Sequence, residues 1–516
     1  MKQTIKFRFS IGIDLGTSNC ALSYIDMNTP EDASVILKIP QWETEKRSNY
    51  YKVLPSFAYF PTVSDQKNNF FNNLKYKHVV GHFARAVSAQ LPERVIQSAK
   101  SWFCHKGIDR ESKILPWLSK KIYDSNKLSP VEASALYLSY LRDVWNQEMA
   151  GDDKNKRFDK QQIVVTVPAS FDQDAQKLTL EATKLAGYPK QVRLLEEPQA
   201  AFHAWIERHP EPEALKKILP EKDGNEPYLV MVCDIGGGTT DLSLFSIIFD
   251  KEETHIDRIS VSDHILLGGD NIDITIAKTL EPQLVKEGDQ LSGRLWQSLI
   301  NQSRSIKERA LGDSGTELKY HVSIGDSGSD LFAQTRTASI TKEEITDIVN
   351  NGFFPVCSKD ELPKTEQGGL KEMGLPYSHE SAVTKYIAEF IYNHEKIDAV
   401  LFNGGALKPD YLQKRIVSLI AKWQDGNQPV ILKNNDLDLN VSHGAAHYGK
   451  DLVMQRQKLI SAGASHGFYI ELQASEKKER SHLICILPLG TGVEEMKTIT
   501  NIDLQLLVNQ PVEFRP

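Results

Sequence analysis

Apolar runs of strand length punctuate this 516-residue chain, and two of them share one plan. The run "YLVMVCDI" (Tyr228–Ile235) is short, apolar and bounded by turn residues, which predicts a buried strand. Three glycines follow, and "DLSLFSII" (Asp241–Ile248) returns as a second strand, with Gly236, Gly237 and Gly238 at the hairpin tip. Earlier, "FSIGIDLGTSNCALSYID" (Phe9–Asp26) repeats the arrangement: apolar strand, Asp14, a turn of Gly16, Thr17, Ser18 and Asn19, then a returning strand. Asp14 and Asp234 stand 220 positions apart, close to half the chain. Two such hairpins heading comparable halves predict a duplicated lobe whose loops face each other across a cleft.

Between the hairpins the pattern alternates helix and strand. A helical stretch is expected through "GHFARAVSAQLPERVIQSAKSWF", and "SPVEASALYLSYLRDVWNQEM" has a serine–proline helix start with apolar spacing of three and four. "QQIVVTVPAS" reads as a buried strand, "DQDAQKLTLEATKLAGY" as a helix, "QVRLLEEP" as a short strand and "QAAFHAWIERH" as a further helix. "EKDGNEP" marks a seam between lobes. The second half continues with a strand around Ile256–Val261, "LLGGDNIDITIAKTL", charged helical segments to Ala310, "TKEEITDIVNNGFF" and the strand "IDAVLFNGGAL". A polar insertion, "SKDELPKTEQGGLKEMGLPYS", interrupts it. From about Gln455 strand-like runs take over: "GFYIEL", "HLICILPLG" and "IDLQLLVNQPVEF". The expected division is 1–220 for the first lobe, 221–454 for the second and 455–516 for a partial β-rich region.

A chain this long predicts two or more domains. Hydrophobic residues make up 40% and charged residues 25%, with mean hydropathy −0.37, which is ordinary for a globular protein. Net charge −7 offers no basic field for nucleic acid. Five cysteines without CxxC spacing argue for reduced, buried thiols, and against zinc or a disulfide framework. The N-terminus runs straight into a strand with no signal-peptide core, and no apolar run reaches membrane-spanning length. A soluble cytoplasmic protein is expected.

Glycines at a hairpin tip let backbone N–H groups approach a ligand without intervening Cβ atoms, and a concave row of donors suits phosphate. One such loop is equally readable as a turn that binds nothing. The pair changes that reading. Together with "NGG" after a late strand, the hairpins resemble the actin, sugar-kinase and heat-shock ATPase superfamily. Within it the chain is similar to the seventy-kilodalton heat-shock chaperones of the DnaK type. "IGIDLGTSN", "VTVPASFDQDAQKLT…AG", "LLEEPQAA", "DIGGGTTDLS", "LLGGDNID" and "LFNGGALKP" match that family's motifs in order, from about Ile11 to Gly449. The "GLPYS" insertion and the tail ending "VNQPVEF" resemble a divergent bacterial branch. The implied fold is α/β: a two-lobed actin-like (duplicated ribonuclease-H-like) ATPase with a short β-rich C-terminal region.

The resemblance implies ATP or ADP at the bottom of the cleft, with Mg²⁺ and often K⁺ among the phosphates. Gly16, Thr17, Ser18 and Asn19 would hold the phosphates from one side, and Gly236, Gly237, Gly238 and Thr239 from the other. Asp14 and Asp234 would bind Mg²⁺ through its water shell, and Asp241 would join an alkali-ion site. Glu197 falls beside the attacking water and Lys100 on the transferring phosphate. Gly404 and Gly405 would approach ribose and adenine, Lys307 the ribose, with Gly268, Gly269 and Asp270 flanking the same site. Several positions depart from the pattern. Lys408 replaces an adenine-stacking arginine, Ala406 a hydroxyl, and Glu308 a second basic residue; lysine cannot stack its charge as planar guanidinium does. Pro168 matches the interlobe proline, but its arginine partner becomes Gln176, with Lys177 adjacent.

Three functions follow from the superfamily. One is a chaperone-type ATPase with unfolded polypeptide clients, co-chaperones or a nucleotide-exchange factor. Another is an actin-like assembly or regulatory protein. A small-molecule kinase is the third, and it would need a carboxylate base in a sugar pocket.

Overall fold

The computed structural model describes residues 7–491, apart from 68–69, 71–74, 106, 118, 210–215, 223–225, 250–253, 313–315, 326–334, 365–370, 373–374, 377, 393, 395, 435, 455–459, 463–466, 473–481 and 489–490. The run "IDLQLLVNQPVEF" and most of the expected C-terminal region therefore lie outside the described residues.

The first sheet is built from β1 (Phe9–Leu15), β2 (Asn19–Asp26), β3 (Val35–Ile36), β4 (Val53–Pro55), β5 (Gln162–Val167) and β6 (Arg193–Glu196). The second contains β7 (Tyr228–Ile235), β8 (Thr240–Phe249), β9 (Thr254–Val261), β10 (Ala399–Asn403), β11 (Val430–Leu432) and β12 (Ile460–Ala462). The first runs β6-β5-β1-β2-β3 and the second β11-β10-β7-β8-β9-β12, with β4 pairing on β2. In each, the leading hairpin is antiparallel and its first strand pairs in parallel with a strand from much later in the chain. The expected duplication is thus present in strand order as well as in the loops. Strands buried on both faces explain the unbroken apolar runs: every residue of β5, β7 and β10 is buried.

Four helices matter for the site: α1 (Glu197–Glu207), α2 (Gly269–Leu280), α3 (Gly293–Leu311) and α4 (Asn440–Met454). Helix α4 falls in the segment expected for the second lobe, yet it packs on the first sheet and on α1. Sequence allows this close approach. A Cβ at Gly12 would come within 2.8 Å of the Ala445 carbonyl carbon, and Ser10 Oγ donates to Ala446 O at 2.7 Å. Phe202 and Trp205 of α1 join Val230, Phe245, Ile256 and Ile460 in a core that ties α1 to the second sheet.

The helix expected over "SPVEASALYLSYLRDVWNQEM" forms as Pro130–Trp145, opened by a reciprocal Ser129–Glu132 capping box. The long helical stretch expected before Phe103 does not form. It breaks into a helix His82–Ser88, a short strand Val95–Gln97 pairing with Phe57–Tyr59, and a 3₁₀ turn Ala99–Cys104. Pro92 ends the helical register, and β-branched Val95 and Ile96 suit the strand that follows. Beyond α4, Phe468–Leu472 and His482–Leu487 form an antiparallel hairpin, in line with the strand-like text.

Candidate nucleotide site

Both glycine loops open into one cavity of about 490 Å³. Its wall includes Asp14, Gly16, Thr17, Ser18 and Asn19 from the first hairpin and Asp234, Gly236, Gly237 and Thr239 from the second. Lys100, Glu197, Gly269, Asp270, Lys307, Gly404, Gly405 and Lys408 complete the expected set on that wall. Gly238, Gly268 and Asp241 are not part of it. A Cβ at Gly268 would press on the Gly236–Gly237 backbone, and Gly269 N and Asp270 N donate to Gly236 O and Gly237 O at 3.0 and 2.7 Å. This segment braces the second loop from behind. Gly236 N–H is likewise used within its own turn, donating to Thr239 O at 2.9 Å.

The two loops meet closely. A Cβ at Gly237 would strike Ser18 Oγ and come within 3.3 Å of Asp270, so the space at the loop exists because no side chain is there. Gly404 has φ +87, a left-handed backbone suited to glycine, which turns the chain sharply after β10.

Asp14 and Asp234 occupy matching positions at the ends of β1 and β7, and each is held by its parallel neighbour. Thr166 Oγ1 of β5 donates to Asp14 at 3.1 Å, and Asn403 Nδ2 of β10 donates to Asp234 at 2.6 Å. Thr166 and Asn403 were not singled out from the sequence; their equivalent places in the two repeats are the signal for them. Burial, reinforced by the Glu197 charge, pushes Asp14 up to about 7, and burial pushes Asp234 well above the usual carboxylate range. Two desolvated carboxylates facing one polar cavity are a donor set that suits Mg²⁺, which is bound by one or two carboxylates and keeps several waters. Among the described residues no group of three or more His, Cys, Asp or Glu could enclose a metal ion.

Lys100 is 5% exposed on the 3₁₀ turn, and its ammonium pairs with the Glu197 carboxylate at the start of α1. Burial opposes that charge, but Glu197 and Asp14 outweigh it and raise the lysine's pKa. Asp270 accepts from Arg304 at 2.7 Å and from Ser98 at 3.2 Å. Lys307 donates to Gly269 O and pairs with Asp273, and Lys408 pairs with Asp438. At the cavity mouth Arg85 from the first lobe bonds both carboxylate oxygens of Glu308, at 2.9 and 2.8 Å.

Asp241 lies off the cavity wall, beside Ser170 and His264. Its carboxylate accepts from Ser170 Oγ and lies 3.9 Å from His264 Nδ1. Burial would lower the His264 pKa, but Asp241 and Cys104 hold it up at about 10. The five cysteines are free; Cys20, Cys233 and Cys357 are buried, whereas Cys104 and Cys485 are half-buried.

A sequence model described as Hsp70 protein matches residues 10–350, about two thirds of the chain. The chain belongs to the Hsp70 family. Among curated relatives, the chaperone protein HscA homolog of Ralstonia nicotianae is 25% identical over 499 residues, covering 95% of this chain and 62% of the relative. The chaperone protein DnaK of Mycoplasmoides gallisepticum is 24% identical, covering 80% and 55%. The mitochondrial iron-sulfur cluster biogenesis chaperone of Saccharomyces cerevisiae is 28% identical, covering 55% and 39%. The chain thus spans less than two thirds of these Hsp70-family relatives. Among the described residues no helix is long and apolar enough to cross a membrane.

Proposed function

We propose that this Hsp70-family chain binds ATP between its lobes and hydrolyses it slowly, cycling between ATP and ADP states as a chaperone-type ATPase of actin-like fold. The observation that carries the reading is the convergence of both glycine loops, Asp14, Asp234, Lys100 and Glu197 on one cavity of nucleotide size. Donors of the Gly16–Asn19 loop and the Thr17 and Ser18 hydroxyls hold the phosphates from the first lobe. Gly237 and Thr239 approach from the second. Asp14 and Asp234 are the residues that would hold Mg²⁺. When bound, Mg²⁺ neutralises phosphate charge. Glu197 orients the attacking water and takes its proton. Lys100 stabilises charge developing on the phosphate oxygens, the kind of electrostatic contribution that dominates phosphoryl transfer. Gly404, Gly405 and Lys307 border the nucleoside, while Lys408 is engaged with Asp438.

Residues 1–220 and 221–454 serve as the nucleotide-binding lobes, with α4 crossing back onto the first, and 455–516 as the β-rich region. Clients, co-chaperones and an exchange factor are the proposed partners, and the cytoplasm the proposed compartment. Family membership does not favour an assembly protein or a small-molecule kinase. Calorimetric ATP titration with and without Mg²⁺, followed by single-turnover hydrolysis with sugars present, tests the reading. ADP and free phosphate are expected. Label appearing on a sugar would establish a kinase, and pelleting with ATP a filament former.

A further inference from the structure

Ser98 has φ 54 and ψ 34, a left-handed backbone that non-glycine residues rarely adopt. Neither glycine nor asparagine stands there to ease it, and the residue is 6% exposed. Strained backbone persists where surrounding structure over-determines it, and such positions gather at functional sites. Here the determining contact comes from the opposite lobe. Ser98 Oγ donates to Asp270 Oδ2 at 3.2 Å, and Asp270 Oδ1 is fixed by Arg304 at 2.7 Å.

The same turn meets the second lobe again three residues on. Ser101 N donates to Ser98 O at 3.1 Å, closing the turn, and Ser101 Oγ lies 2.9 Å from where a Cβ on Gly238 would be. Lys100 sits between these two contacts. Its ammonium pairs with Glu197 of the first lobe, while Ser98, two residues before it, bonds Asp270 of α2, and Ser101, next to it, lies close to Gly238 of the glycine loop. The lysine's position therefore depends on both lobes at once.

We propose that Ser98 is the positioning residue for Lys100, and that its bond to Asp270 makes the lysine's placement conditional on closure of the two lobes. The proposal rests on the reading of Lys100 as the residue that serves the phosphate. Ser98 touches no reacting atom; it acts through the turn.

Two variants of the full chain test it. Ser98→Gly keeps the left-handed backbone without the hydroxyl. Ser98→Asn keeps it with an amide donor for Asp270, since asparagine tolerates that region. Single-turnover hydrolysis and calorimetric ATP affinity are read together with acetylation of Lys100 by acetic anhydride, followed by peptide mass spectrometry. Ser98→Gly should lose about tenfold in rate, as a small misplacement does, with ATP affinity unchanged. Lys100 should be acetylated severalfold faster in that variant. Ser98→Asn should restore both. Parental rate and labelling in Ser98→Gly, loss of affinity in step with rate, or no rescue by Ser98→Asn would each overturn the proposal. A parent that binds ATP without hydrolysing it would remove the ATPase reading instead; the labelling of Lys100 would still decide the role of Ser98.

Discussion

Lys100 is a cation buried where desolvation is costly, and it is kept charged by the carboxylate of Glu197 beside it. If it stabilises the transferring phosphate, Lys100→Ala should leave ATP binding intact and slow hydrolysis by about 10²–10³-fold, roughly 2.7–4 kcal/mol. Single-turnover measurement checks this, and a rate within twofold of the parent would remove the assignment. Gly237 makes the complementary case. Its missing side chain leaves room against Ser18 and Asp270, so Gly237→Val should abolish calorimetric ATP binding while circular dichroism stays native. At this scale the sequence showed the aspartates and glycines, because their roles depend on local turn chemistry repeated in both hairpins. It did not show Ser98, Thr166 or Asn403. Their importance arises from partners 172, 152 and 169 positions away, which no local pattern reports.

The strands were legible because burial on both faces leaves an unmistakable apolar run, and Pro130–Trp145 because its cap is written in Ser129, Pro130 and Glu132. The region before Lys100 was misread because apolar spacing over "FARAVSAQLPERVIQ" satisfies a helix while pairing with Phe57–Tyr59 pulls part of it into a strand. Helices α1 and α4 lie together and enclose His203, which is 6% exposed and stacked edge-on to Tyr448. Burial, aided by His447 and opposed by Glu207, lowers the His203 pKa to about 4. The unfolded chain takes up the proton near pH 6.5, the folded one only near 4. Stability from this group is therefore full above 6.5 and falls as pH drops through that window, by up to about 3 kcal/mol. Thermal melts between pH 7.5 and 4.5 should fall more steeply for the parent than for His203→Leu. Parallel curves would exclude the histidine.

For the molecule as a whole, duplication was visible in the sequence because the two hairpins share one plan: an apolar strand with a late aspartate, a glycine-containing turn and a returning strand. The return of α4 to the first lobe was not, since nothing local distinguishes a helix that packs beside its neighbours from one that crosses over. The two lobes are also joined away from the cavity by a buried ion pair between Arg258 of β9 and Glu196 of β6. Every residue on the cavity wall precedes Ser442, so a chain ended after Met454 should bind ATP with near-parental affinity. Removal of β12 would leave the outer side of β9 without its neighbour, and unpaired strand edges invite association. Light scattering should show the shortened chain self-associating while calorimetry shows the nucleotide site preserved. Loss of ATP binding in a folded, monomeric truncation would contradict this.

Strand β12 also ties helix α4 to the second sheet. Helix α4 is bedded in the first lobe, β12 is stitched in parallel to β9 of the second, and only residues 455–459 lie between them. A stretch that short reaches at most about 20 Å when pulled taut. The strap sets how far the anchor points can part before something yields. The seam that takes the pull is the three-residue pairing of Ile460–Ala462 with Ile256–Arg258. Parting of those anchors beyond that reach would require Ile460–Ala462 to leave Ile256–Arg258.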